Sequence, residues 1–164
     1  MKEKEILIKY FEYENREDLT AEDNIMLSYA DEASSNAYAP YSHFKVGCAI
    51  KLDNNIIVKG NNQENIAYPS GLCAERVAMF NASANYPNIG IESIAVVAHS
   101  DDFLVDFPVT PCGSCRQVMS ESEKRQQQKI RYILAGTKGK ILIIEGIDNL
   151  LPFIFHPEKL ARKV

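Results

Sequence analysis

No stretch of this sequence approaches the roughly 20 consecutive apolar residues that span a bilayer. The first ten residues, MKEKEILIKY, alternate charged with apolar side chains and lack the continuous apolar core of a secretory signal. Both absences point to a soluble protein of the cytoplasm. Positive charge is not in surplus either: 18 Lys and Arg stand against 22 Asp and Glu, a formal net of −4. A nucleic acid would meet net repulsion and find no basic tract to seat it. No membrane or nucleic-acid partner is therefore expected. There is no repeat, low-complexity tract or linker, so residues 1–164 read as one domain, with 1–19 as an N-terminal extension carrying a strand. Cysteine is scarce, four in all. With 46% hydrophobic residues the chain can build a core without a disulfide framework. In a reducing compartment, closely spaced cysteines are more often metal ligands or catalytic groups than bridges.

The apolar pattern gives a strand over residues 5–13, then a polar turn. Thr20 with Asp23 marks a helix start. Ile25, Tyr29, Ala33 and Ala37, with Met26 and Ala30 beside them, form one face of that helix, and Pro40 stops it. Residues 44–52 and 55–60 are two strands joined by the turn LDNN. A helix over 73–84 places Val77, Phe80 and Ala84 on one side. IESIAVVAH is a buried strand, 112–124 a helix, and IRYILAG and KILIIEG two more strands. Short helices are expected at 147–150 and after His156. This order is α/β: a mixed sheet with helices on both faces.

Three of the four cysteines fall in two short stretches, PSGLCAERVA and TPCGSCRQVM. Each lies where extended chain turns into a helix. Cys112 and Cys115 are three apart and share one helical side, so both sulfurs can grip one ion. Helix N-termini favour the thiolate, the form that binds metal. Cys73 supplies a third sulfur from the other helix start. Cys48, mid-strand, reads as a small buried apolar residue. Three ligands with an open fourth position is the pattern of a catalytic zinc site. Glu75, two residues past Cys73 in a first helical turn, can reach a water there as general base and acid. Three thiolates exceed the charge of Zn²⁺, and Arg76, Arg116 and the two helix N-termini are placed to offset the excess.

CAER followed by PCGSCRQ resembles the zinc-dependent cytidine deaminase family. YAPYSHFKVGCAI and GNNQENIAYPSGLCAERVA are also similar to family segments, so the likeness covers roughly residues 25–151. It implies a three-layer α/β/α fold with a five-stranded mixed core sheet, to which the N-terminal strand is extra. It implies one zinc per subunit on Cys73, Cys112 and Cys115, and proton shuttling by Glu75. It places Phe44 against the pyrimidine ring, Asn62 and Glu64 on ribose hydroxyls, the Ala74 N–H on the pyrimidine carbonyl and the Thr110 backbone near the leaving amine. The implied activity is hydrolytic deamination of free cytidine and 2′-deoxycytidine in pyrimidine salvage. The short-chain branch forms homotetramers, in which Tyr68 matches a position that completes a neighbour's site. Cys48 and Ser114 stand where small residues are common. The tail LLPFIFHPEKL lacks the usual glycine after LLP, and leaves Phe153 and Phe155 as alternatives for an aromatic lent to a neighbour.

Two other readings of the cysteines stand beside this one. A structural zinc knot needs a fourth ligand such as His43 or His99. A redox pair of Cys112 and Cys115 leaves Cys73 and Glu75 without a role. Deaminases of a nucleoside antibiotic such as blasticidin S, or of a base within RNA or DNA, are the neighbouring enzyme alternatives.

Overall fold

A computed structural model of the chain describes residues 1–155. Six strands form one sheet: β1 (Phe11–Tyr13), β2 (Phe44–Leu52), β3 (Ile57–Asn61), β4 (Ile91–Ser100), β5 (Arg131–Ala135) and β6 (Ile141–Glu145). Their order is β1-β6-β5-β4-β2-β3, with β4 and β5 parallel and every other pair antiparallel. Among the described residues three α-helices cover it: α1 (Ala21–Ser34), α2 (Ala74–Asn85) and α3 (Gly113–Gln126). Alternation along the strands divides the core in two. Met26, Leu27 and Ala30 of α1 pack with Ala49, Ala95, Val97, Ile133 and Ile143. Ala74, Ala78 and Met79 of α2, with Cys115 and Met119 of α3, pack with Cys48, Ile50, Ile94, Val96 and Leu134 on the opposite face. The fold is the expected three-layer α/β/α arrangement, five core strands plus β1. Cys48 is fully buried, as its place in β2 predicted.

Two glycines set how closely the helices approach. A Cβ on Gly47 would lie 1.9 Å from the Ala30 carbonyl oxygen of α1, and one on Gly60 would lie 2.5 Å from the Ala78 nitrogen of α2. Only a residue without a side chain lets backbone meet backbone there. The close seat on β3 fixes α2, and with it Cys73 and Glu75.

Several expectations change in detail. The N-terminal strand is Phe11–Tyr13, not 5–13. Phe11 pairs with Ile143, and β6 ends two residues later, before Gly146 turns at φ 83° into a 3₁₀ turn over Ile147–Asn149. Residues before Lys9 therefore have no β6 residue opposite them, and Lys9 donates its N–H to Asn149 Oδ1 at 2.9 Å. Helix α1 ends at Ser34, well before Pro40, where Ser34 and Ser35 hydroxyls donate back to the Asp31 and Glu32 carbonyls. Its buried face is Met26, Leu27, Ala30 and Ala33, while Ile25 and Tyr29 point outward. The buried face of α2 is Ala74, Glu75, Ala78, Met79 and Ala82, and Phe80 is half exposed. Close packing over Gly60 admits the small side chains and turns the larger ones out. The short helix at the end is the 3₁₀ turn over Ile147–Asn149; the one expected after His156 lies outside the described residues. Among the described residues no helix is long and apolar enough to cross a membrane.

Candidate active site

Cys73 is the N-cap of α2 and Cys112 the N-cap of α3. An N-cap serine or aspartate would turn its side-chain oxygen onto the helix N–H groups. Neither sulfur does this, so both stay directed at each other and at Cys115, one turn into α3. The Cys73 and Cys112 sulfurs are 3.8 Å apart and the Cys112 and Cys115 sulfurs 3.5 Å. All three lie within 4.8 Å of one another. A tetrahedral zinc with Zn–S bonds of about 2.3 Å sets sulfur–sulfur edges of about 3.8 Å. The trio therefore fits a zinc ion. Among the described residues no fourth protein donor joins the group. His43 faces Asp102 at 3.2 Å, and His99 is held between Asp31 at 3.0 Å and Thr137 at 3.3 Å. Among the described residues the closed structural knot thus lacks the ligand it needs. A Cys112–Cys115 pair alone leaves out a third sulfur, that of Cys73, only 3.8 Å from Cys112.

Charge at the site is shared unequally. The hydrogen bond from Cys115 pulls the Cys73 thiol down to about 5 against the cost of burial, with Arg76 and Cys112 adding to the effect. Cys115, which keeps the proton, is pushed up, and its burial adds to that. Arg76 Nη2 lies 4.0 Å from the Cys73 sulfur, as charge balance required. Its Nε is buried without a hydrogen-bond partner among the described residues. Arg116, also expected to offset the thiolates, makes its hydrogen bonds elsewhere. Its guanidinium turns to the loop before α3: Nε donates to the Pro111 carbonyl at 2.7 Å, Nη1 to the Leu150 carbonyl at 2.6 Å and Nη2 to Thr110 Oγ1 at 3.2 Å.

Cys73 and Cys112 line a cleft of about 750 Å³, within the usual range for small-molecule sites, while Cys115 is buried behind them. Glu75 lines the cleft with its residue 5% exposed. Burial raises its pKa, and the nearby Cys73 charge adds to the rise. A carboxyl so placed can both hold and release a proton. Phe44, Asn62, Glu64, Ala74 and Thr110 line the same cleft. The structure thus gathers in one cleft the residues that the family resemblance marked for substrate. Asn62 already bridges β2, accepting from the Val46 N–H at 2.8 Å and donating to the Phe44 carbonyl at 2.9 Å. One amide hydrogen and one lone pair remain. Glu64 Oε2 accepts from the N–H groups of Tyr41 at 2.9 Å and Ser42 at 3.3 Å. Burial opposes ionisation of Glu64, but hydrogen bonds from Ser42 and Tyr41 win and lower its pKa. Tyr68 lines its own chain's cleft, edge-to-face with Tyr41 at 6.5 Å.

Tyr41, Ser42, Leu72 and Val109 also line the cleft, and sequence patterning did not single them out. They sit in irregular segments with no period to read. The bridges of Gln63 with Tyr38 and Leu72 bring two of those segments together. Phe103 was missed as well; its ring stacks on Phe44 at 6.2 Å.

Residues 20–129 match the family model described as the cytidine and deoxycytidylate deaminase zinc-binding region. A cytidine deaminase of Halalkalibacterium halodurans is 40% identical over 136 residues, 83% of this chain and 96% of that one. A probable cytidine deaminase of Dictyostelium discoideum is 38% identical, covering 82% of this chain and 84% of its own. The crystal structure of cytidine deaminase from Burkholderia pseudomallei superposes with a TM-score of 0.69 at 35% identity, over 84% of this chain and all of that one. Zinc is the ion that both the matched region and the three sulfurs indicate.

Proposed function

The chain belongs to the cytidine deaminase family, and from that premise we propose that it hydrolyses free cytidine and 2′-deoxycytidine to uridine and deoxyuridine, releasing ammonia. The observation that carries the reading is the buried Glu75 lining one cleft with Cys73 and Cys112, two of three sulfurs spaced for one ion. The whole chain acts as one catalytic domain.

Cys73, Cys112 and Cys115 would hold the zinc, which when bound would supply the Lewis acidity that makes water nucleophilic near neutral pH. Glu75 takes a proton from the attacking water and delivers it to ring N3. The water oxygen bonds to C4, and the C4–N bond to the amino group then breaks. Glu75 passes the second water proton to the departing amine, which leaves as ammonia. Its burial favours a carboxyl that carries protons both ways. Phe44 packs on the ring, the Ala74 N–H donates to the ring carbonyl and the Thr110 backbone meets the amine. The free lone pairs of Glu64 and the spare amide capacity of Asn62 bind the ribose, which holds C4 in place.

The cleft lining also supports a free nucleoside. Arg76 is its one cation among the described residues, and it lies beside Cys73; the Glu64 carboxylate stands with Asn62 at the sugar end. A phosphate there would meet negative charge. We further place the reaction in pyrimidine salvage in the cytoplasm, where thiolates stay reduced, and in a homotetramer. Purified protein should bind one zinc per chain and convert cytidine to uridine, with a chelator abolishing turnover. Stoichiometric zinc without any cytidine loss overturns the substrate.

A further inference from the structure

We propose that Arg116 is a positioning residue for the deamination: it does not balance thiolate charge but fixes the leaving-amine segment Thr110–Cys112 against the end of the chain's core. This inference rests on the reaction proposed above. One guanidinium makes three hydrogen bonds to three residues, the Pro111 carbonyl at 2.7 Å, the Leu150 carbonyl at 2.6 Å and Thr110 Oγ1 at 3.2 Å. Thr110 lines the cleft, and Pro111 directly precedes the sulfur-bearing Cys112. Leu150, by contrast, closes the 3₁₀ turn after β6 and is buried in the core. The loop between β4 and α3 runs for a dozen residues without helix or strand, so its last residues need an anchor. Arg116 sits in the first turn of α3, where its backbone N–H donates to the Cys112 carbonyl at 3.0 Å. It therefore ties loop, ligand helix and core at one point.

The geometry of the bonds makes the claim specific. A planar fork with several fixed donors reaches three acceptors at once, and an ammonium cannot copy it. Charge offset asks only for a positive group near the sulfurs, and Arg76 already lies there. The two roles thus differ in what lysine should do. If Arg116 acts by charge, Arg116→Lys keeps activity while Arg116→Gln loses it. If it acts by position, both lose it.

The experiment measures zinc content, kcat and KM for cytidine in zinc-loaded wild type, R116K, R116Q, T110V and T110V/R116Q. The expected result is one zinc per chain in all, with kcat of R116K and R116Q each reduced by about 10- to 100-fold. KM should stay within about threefold, since the ribose contacts lie elsewhere. T110V keeps the backbone and should lose less, and its loss should not add to that of R116Q. R116K near wild type, or strictly additive losses, overturns the proposal. Amide hydrogen exchange of zinc-loaded R116K supplies a readout without turnover. Segments 110–112 and 149–151 should both exchange faster than in wild type, and unchanged protection at either also overturns it. If wild type leaves cytidine intact, the deamination reading fails on its own, while the exchange measurement still tests the tie.

Discussion

Glu75 carries the chemical claim at the scale of a single residue. It is buried, beside Cys73 and Cys115, and pushed up in pKa by burial. Glu75→Gln keeps the shape and removes the proton carrier. It should bind one zinc per chain, as wild type does, and lose about 10²- to 10⁴-fold in kcat. Metal analysis beside steady-state kinetics checks both halves; full turnover in a zinc-loaded variant would remove Glu75 from the reaction. The four central residues were legible because each motif is local: both cysteine stretches begin helices, and helix starts are readable from sequence. Arg116 was legible as a cation but not in its task. Its acceptor at Leu150 lies 34 residues away, and no spacing rule names it. Asn62 and Glu64 came from family likeness. Their bonds to Phe44, Val46, Tyr41 and Ser42 depend on how β3 and its following loop lie against β2.

At the scale of elements, strands and helices were read closely where the apolar period was strong, as in β2 and β4. Errors came at faces and ends. Ile25 and Tyr29 lie outward because α1 rests on Gly47 through Ala30 and its neighbours, a contact that periodicity alone does not weigh. The start of α1 is joined to β5 by Asp23, whose carboxylate accepts from Arg131 Nε and Nη2, both at 2.9 Å. Arg131 also meets Glu145. Burial alone would raise the Asp23 pKa, but hydrogen bonds from Arg131 and Thr20 win and hold it below its ordinary value near 3.8. A depressed folded pKa stabilises above the unfolded value, and that stability is lost as pH falls through the folded one. Asp23→Asn should therefore cost about 2 kcal/mol at pH 7. The gap to wild type should close as pH drops below about 4. Urea unfolding of both proteins across that range checks the sign; a gap that widens in acid would contradict it.

The whole molecule leaves large apolar side chains in water: Ile25 is 54% exposed, Phe80 49%, Ile66 80% and Tyr68 78%. Single exposed apolar residues are ordinary on a monomer. Here Phe80 lies on the helix that carries Cys73 and Glu75, and Tyr68 stands at the rim of the cleft. Covering these residues by further copies of the chain suits the tetramer proposed above. Light scattering should give a mass near four times 18.4 kDa, and Phe80→Glu should lower it. A single-chain mass for active wild type would refute the tetramer.

The central claim is that three sulfurs hold the ion and leave one corner for water. X-ray absorption at the zinc edge tests it most directly. It should find three sulfur neighbours at about 2.3 Å and one oxygen at about 2.0 Å. Four protein donors, whether a fourth sulfur or an imidazole nitrogen, would contradict it.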